Sequence, residues 1–190
     1  MNIEAIAAKA IQDFRAAQHL PELIEFLEWL KRLAPAPQYV VEIGVATGGN
    51  LWAMQQVFLQ GVQFIGVDQS YRRLSDCPFR AGTILVCGKS QEVDRIVRRM
   101  YLPEQALVYI DANHGYKQSR DDAIKYPASY QVFHDVKDTR RAAEKRLVCH
   151  FFEEHRHEFV ELFTHETDRG GIGIRKCSLI RPPEMPMIMG

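Results

Sequence analysis

The stretch that decides the fold is Val41-Glu42-Ile43-Gly44-Val45-Ala46-Thr47-Gly48-Gly49-Asn50. An apolar strand ends here in a glycine-rich turn, and a helix is expected to begin near Asn50. In open α/β folds, ligands bind outside the carboxyl ends of the strands, and glycine lets a ligand approach the backbone closely. The stretch therefore predicts a strand–turn–helix unit with a ligand site at the turn.

The segments that follow this turn continue the same alternation of short apolar runs and helix-period segments, which is typical of repeated βαβ units. Two C-terminal runs, joined by the turn-rich residues 165–170, predict an edge hairpin. We therefore expect a Rossmann-like, doubly wound α/β fold with a seven-stranded, mostly parallel sheet and an antiparallel C-terminal hairpin strand. The predicted strands are 39–43, 62–67, 83–86, 106–110, 130–133, 159–164 and 171–176.

Two amphipathic helices are predicted upstream of the first strand, between residues 3 and 33, with Pro21 in the first turn of the second helix. A proline-containing connector, 34–37, ends them. A long charged helix is expected from Thr139 to about His155. The predicted organisation is an N-terminal helical cap (1–37), a core (38–180) and a tail (181–190).

Composition restricts the class of protein. The 190 residues, 46% of them hydrophobic, suit one domain, and Lys plus Arg balances Asp plus Glu at 24 each. No overall field would hold such a chain on nucleic acid or an anionic membrane. The four cysteines form no CxxC pair, and no apolar run is long enough to span a bilayer. We expect a cytoplasmic protein that binds neither nucleic acid nor membrane.

Two acids near the turn suggest the kind of ligand. Glu42 would repel the pyrophosphate of a dinucleotide, whereas a sulfonium cofactor with an amino group is cationic and would be favoured. The alternative is that Glu42 forms a cap or salt bridge at the strand end. Asp68 ends the second strand, where an acid accepts ribose hydroxyls in nucleotide and S-adenosylmethionine sites alike.

These two segments, Val41–Asn50 and Phe64–Asp68, resemble the first two motifs of class I S-adenosylmethionine (SAM)-dependent methyltransferases. The resemblance implies that the turn holds the methionine portion of SAM and that Asp68 and Gln69 hold the ribose. Ser90, after the third strand, would contact adenine, or would instead cap the next helix. The residues implied at the methionine end are Glu42, Gly44, Thr47 and Gly48, and Asn50 is a further predicted cofactor-binding residue.

Polar residues also end the fourth and fifth predicted strands. Asp111, Asn113 and His114 follow the fourth, and His134 and Asp135 follow the fifth, at the same edge as Glu42 and Asp68. The pattern I-D-x-x-H-x-Y, then a helix, then F-H-D, resembles the small-molecule O-methyltransferase branch related to macrocin O-methyltransferase and cephalosporin hydroxylase.

This second resemblance implies roles for the strand-end residues. Asp111 would be both a catalytic and a cofactor residue, and His114 would be the general base or a spacer packed against the cofactor. Asp111, His134 and Asp135 would hold a divalent metal, magnesium or a more nitrogen-tolerant ion such as manganese. Alternatively, His134 and Asp135 only close the strand end through hydrogen bonds.

The leading prediction is SAM-dependent methylation of a hydroxyl on a sugar or another small metabolite. Two alternatives stay open: an NAD(P)-dependent oxidoreductase and a noncatalytic cofactor-binding scaffold. The N-terminal helices are expected to form the acceptor-side wall or a homodimer interface, because Phe26, Trp29 and Leu33 add an apolar flank beyond the core-facing stripe.

Overall fold

The computed structural model describes residues 2–58, 61–138, 147–164 and 169–177. Its helices are α1 (Ile3–Gln12), α2 (Leu20–Arg32), α3 (Gly49–Val57), α4 (Ser90–Val97), α5 (Tyr116–Lys125) and α6 (Val148–Glu154). Its strands are β1 (Tyr39–Ile43), β2 (Gln63–Asp68), β3 (Ile84–Cys87), β4 (Ala106–Ile110), β5 (Tyr130–Asp138), β6 (Phe159–Phe163) and β7 (Arg169–Lys176).

The strands form one seven-stranded sheet in the order β3-β2-β1-β4-β5-β7-β6. Strands β1 to β5 are parallel to one another, and β7 runs antiparallel between β5 and β6. The predicted fold class is confirmed, including the C-terminal hairpin. Because the chain order reverses between β1 and β4, a crevice is expected at the carboxyl ends of these two strands.

Two hydrophobic clusters cover the two faces of the sheet, as expected for parallel strands that are apolar on both sides. One cluster contains residues of α1, α2 and α3, and the other contains residues of α4, α5 and α6. The predicted N-terminal cap thus packs as part of one helical layer, and the boundary at residue 37 stays a prediction.

The apolar flank of α2 contacts the chain's own sheet. Phe26 is fully buried with its ring 5.3 Å from that of Tyr109, and the Trp29 ring lies 5.5 Å from that of Tyr130. Leu33 packs against the same core cluster, so packing within the chain accounts for all three residues of this flank. Homodimerisation through it stays a prediction.

Some predictions lie wholly or partly outside the described residues. Of the charged helix expected from Thr139 to about His155, the described part is α6, while residues 139–146 are outside, as are 165–168 of the predicted turn and the tail 181–190. Among the described helices, none has the length and apolar character needed to cross a membrane.

Candidate functional site

The turn after β1 is held by close packing against the rest of the chain. Gly44 (φ +96°) and Gly48 (φ +88°) have left-handed backbone. A Cβ atom on Gly44 would lie 2.5 Å from the carbonyl oxygen of Asp111, and one on Gly48 would lie 2.7 Å from the Phe79 ring. The glycines were expected to let a ligand approach the backbone closely. The close approach of neighbouring protein atoms already excludes a side chain at both positions.

Glu42 is a buried carboxylate beneath this turn, with 1% of its surface exposed. Its Oε1 accepts a hydrogen bond from Asn50 Nδ2 at 2.7 Å, whereas its Oε2 and the Oδ1 of Asn50 lack a partner among the described residues. Burial raises the pKa of Glu42 well above its ordinary value, the Asn50 bond opposes the rise, and the charges of Asp111 and Asp68 add to it. A cation or hydrogen-bond donor near this carboxylate would relieve that cost.

Asp68 is fixed at the tip of β2 by two backbone donors. The N–H of Ala46 donates to Oδ2 at 2.8 Å, and the N–H of Ser70 donates to Oδ1 at 2.9 Å. The same carboxylate therefore orders the turn after β1 and keeps its remaining lone pairs at the edge of the sheet.

A cavity of about 300 Å³ opens at this edge, between the carboxyl ends of β1 to β4. Four of the predicted cofactor residues line it: Gly44, Asp68, Gln69 and Ser90. The other five, Glu42, Thr47, Gly48, Asn50 and Asp111, are not part of its lining. Thr47 is instead held by the N-terminal segment, since its hydroxyl donates to the Arg15 carbonyl at 3.1 Å.

Sequence reasoning missed two glutamines in the wall of this cavity. Gln91 on α4 and Gln118 on α5 both line it, and both donate to Ser90 Oγ, at 2.7 and 3.2 Å. Ser90 is the first residue of α4, and its side chain does not cap that helix. Polar residues on helices are usually solvated, so nothing in the local pattern marked these glutamines.

The second predicted cluster is assembled as well. His134 Nδ1 lies 3.0 Å from Asp111 Oδ1, and His114 Nδ1 lies 3.1 Å from Asp135 Oδ2. A β-bulge between His134 and Lys137, together with φ +55° at Asp135, interrupts the usual alternation of side chains. His134 and Asp135 therefore reach the same cluster although they are adjacent in a strand.

The predicted metal ligands do not all lie in one cluster of possible ligand atoms. Asp111, His114 and His134 have ligand atoms within 4.8 Å of one another, whereas Asp135 Oδ2 lies against His114 Nδ1. Metal binding by Asp111, His134 and Asp135 stays a prediction.

The two histidines have different environments. His134 is 5% exposed, and its Nε2 lacks a partner in the described part of the chain. Burial alone would lower its pKa, but the charge and hydrogen bond of Asp111 and the charge of Asp135 raise the pKa to about 9. Since 37% of the His114 side chain is exposed, His114 is the histidine that a ligand can reach.

The segment between α1 and α2 contributes a residue that sequence reasoning also missed. Gln18 is buried, and its Nε2 donates to Asp111 Oδ2 at 2.9 Å. On α2, the fully buried Glu22 accepts a hydrogen bond from the backbone N–H of Gly171 at 2.9 Å. The N-terminal segment thus borders the Asp111 side of the site, and its role as the acceptor-side wall stays a prediction.

Comparison with known proteins gives no match by sequence but a clear one by fold. No protein-family model and no curated protein matches the chain. The O-methyltransferase TomG from Streptomyces achromogenes, solved with SAM, is 14% identical with a TM-score of 0.62, over 94% of this chain and 91% of TomG. An O-methyltransferase from Bacillus cereus, solved with SAH, is 13% identical with a TM-score of 0.63, over 93% of this chain and 90% of that one. The chain has the Rossmann-like fold of these O-methyltransferases.

Proposed function

We propose that this protein is a SAM-dependent methyltransferase that methylates a hydroxyl group of a small molecule. The observation that carries the proposal is the cavity of about 300 Å³ at the carboxyl ends of β1 to β4, with Asp68 in its wall. The SAM-bound and SAH-bound neighbours of the same fold support it.

The residues present suit this cofactor. Asp68 is an acceptor for ribose hydroxyls at the cavity wall. Glu42 Oε2 and Asn50 Oδ1 lie behind the cavity lining as buried acceptors without a donor in the described chain, and an ammonium group that reached them would relieve the cost of their burial. When bound, SAM supplies an electrophilic methyl group, and its sulfur leaves with the electron pair of the broken carbon–sulfur bond.

The histidine–carboxylate pair supplies the proton acceptor. Asp135 Oδ2 lies 3.1 Å from His114 Nδ1, so the carboxylate can accept an Nδ1–H and leave the lone pair on Nε2 to take the proton of an acceptor hydroxyl. Asp111 lies beside this nitrogen, at 4.0 Å, and is itself held by Gln18 and His134. Asp111 therefore orients the acceptor, and His114 holds the proton.

A divalent ion is the competing means of activating the acceptor. Two imidazoles and one carboxylate, from His114, His134 and Asp111, suit manganese, iron or zinc better than magnesium. When bound, such an ion would lower the proton affinity of an acceptor oxygen. Because His114 Nε2 would then be a ligand, this role and that of general base exclude each other.

Isothermal titration with SAM, SAH and NAD tests the proposed function. We expect SAM and SAH to bind, and Asp68→Ala to weaken both. Binding of NAD without either sulfur cofactor would instead support the oxidoreductase alternative.

Methyl transfer to a panel of hydroxyl acceptors, with and without a chelator, tests the chemistry. Transfer that survives the chelator supports His114 as the base, whereas loss that manganese restores supports the ion. Binding of SAH without transfer to any acceptor would favour the noncatalytic scaffold.

A further inference from the structure

A buried carboxylate lies directly behind the glutamines of the cofactor cavity. Asp122 of α5 has no exposed surface, and its Oδ1 accepts a hydrogen bond from Gln91 Nε2 at 2.9 Å. Its Oδ2 accepts one from Gln118 Nε2 at 3.0 Å. Burial raises the pKa of Asp122, and hydrogen bonds from Ser90, Gln91 and Gln118 oppose that rise. Asp122 is thus a shared acceptor for the polar side chains of this wall.

The carboxylate of Asp122 determines how the amide groups of Gln91 and Gln118 are oriented. An ionised carboxylate accepts hydrogen bonds and donates none, so each glutamine must present its NH₂ group to Asp122. The second N–H of each amide is used by Ser90 Oγ. Both carbonyl oxygens remain without a donor in the described residues, and both side chains line the cavity.

The frame around these glutamines is itself held in place. The hydroxyl of Tyr126 donates to the Ser90 carbonyl at 2.6 Å, and Lys125 Nζ donates to the Gln91 carbonyl at 2.9 Å. Because both amide nitrogens bond the same hydroxyl and the same carboxylate, the two amide groups are close neighbours, and each offers one carbonyl oxygen. They form a pair of acceptors of fixed orientation.

A pair of adjacent acceptors matches an exocyclic amino group, which carries two N–H hydrogens. We propose that Asp122 is a positioning residue that turns Gln91 and Gln118 so that the cavity selects a 6-aminopurine ring over a 6-oxopurine ring. This inference rests on the proposed function, because it takes the ligand to be an adenosyl compound. A 6-oxo group would place its oxygen against two carbonyl oxygens, which is repulsive.

The experiment compares the binding of SAH with that of its 6-oxo counterpart, S-inosylhomocysteine, to the full chain by isothermal titration. We expect the wild type to bind SAH more tightly by at least about tenfold, because the 6-oxo ligand leaves both glutamine acceptors unpaired inside the occupied cavity. In Asp122→Asn, the new amide presents one oxygen and one NH₂ group, so one glutamine turns over and the selectivity ratio falls toward one. Asp121→Asn, the same change one residue earlier, should leave the ratio unchanged.

Gln118→Met provides a second variant, since it removes one carbonyl from a partly exposed position and leaves Asp122 in place. It should also lower the ratio of SAH affinity to S-inosylhomocysteine affinity. If Asp122→Asn does not fold, this variant tests the glutamine acceptors by itself. An unchanged ratio in Gln118→Met and in folded Asp122→Asn overturns the inference while leaving the proposed function intact. A wild type that binds no SAH overturns both.

Discussion

Replacing Glu42 with glutamine tests whether the buried acid beneath the first turn serves a cationic ligand. Glutamine has nearly the same shape and can still accept the hydrogen bond of Asn50 Nδ2 through its carbonyl oxygen. The substitution therefore removes the charge and the unpartnered Oε2 acceptor while preserving the local packing.

The size of the expected effect follows from the hydrogen bond that the ligand would make. A hydrogen bond to a charged group contributes about 1.5–3 kcal/mol. Its loss should weaken SAH binding by roughly ten- to a hundredfold, since 1.4 kcal/mol corresponds to about tenfold.

The stability of the unliganded protein should change in the opposite direction. The pKa of Glu42 is raised above its ordinary value of 4.5, so its contribution to stability is fully present below pH 4.5 and is lost as the pH rises toward the folded pKa. Glutamine does not ionise, and Glu42→Gln should therefore be more stable relative to the wild type at pH 8 than at pH 4.

Isothermal titration with SAH and denaturant unfolding at the two pH values measure both effects. Glu22→Gln is the matched control, because Glu22 is also fully buried with an unpartnered Oε1 but contacts Gly171 on the other side of the site. Unchanged SAH affinity in Glu42→Gln, or an equal loss in Glu22→Gln, would refute the reasoning.

Three further predictions concern other parts of the site. His114→Ala should lower kcat by about a hundredfold or more with SAH affinity unchanged, and an unaltered kcat would remove His114 from the chemistry. The raised pKa of His134, from 6.5 to about 9, contributes about 3 kcal/mol of stability that is present below pH 6.5 and lost as the pH rises through 9; denaturant curves should show this loss in the wild type but not in His134→Asn. Gly44→Ala should lower the free energy of unfolding by at least about 2 kcal/mol, because steric contact adds to the strain of a left-handed backbone. Gly82→Ala is the control, since the space around its Cβ position is open, and it should cost only about 1 kcal/mol. Thermal or denaturant unfolding measures both effects.

The seven strands were predictable because each is a short apolar run bounded by turn residues. β1 and β4 match their predicted bounds, whereas β5 runs to Asp138, beyond the predicted end at Phe133. Polar His134 and Asp135 suggested a strand end, but pairing with β7 continues past them across a bulge. Tertiary pairing overrode the local polarity signal there.

The sequence by itself determined which residues meet at one edge of the sheet. Strand periodicity places Asp68 and Asp111 at carboxyl ends, because parallel strands all end on the same side, and His134 reaches the same edge although β5 continues past it. Chain order also placed Ser90 beside the same cavity.

The tertiary structure alone decided the partners. Gln18 and Asp111 are 93 positions apart, and Gln91 and Asp122 are 31 apart, so no local pattern could indicate either hydrogen bond. The turn after β1 first looked like a surface for a ligand. In the folded chain, Asp111 and Phe79 pack so closely against this turn that only glycine fits at Gly44 and Gly48. The sequence could not show this, because Asp111 and Phe79 come near the turn only when the chain folds.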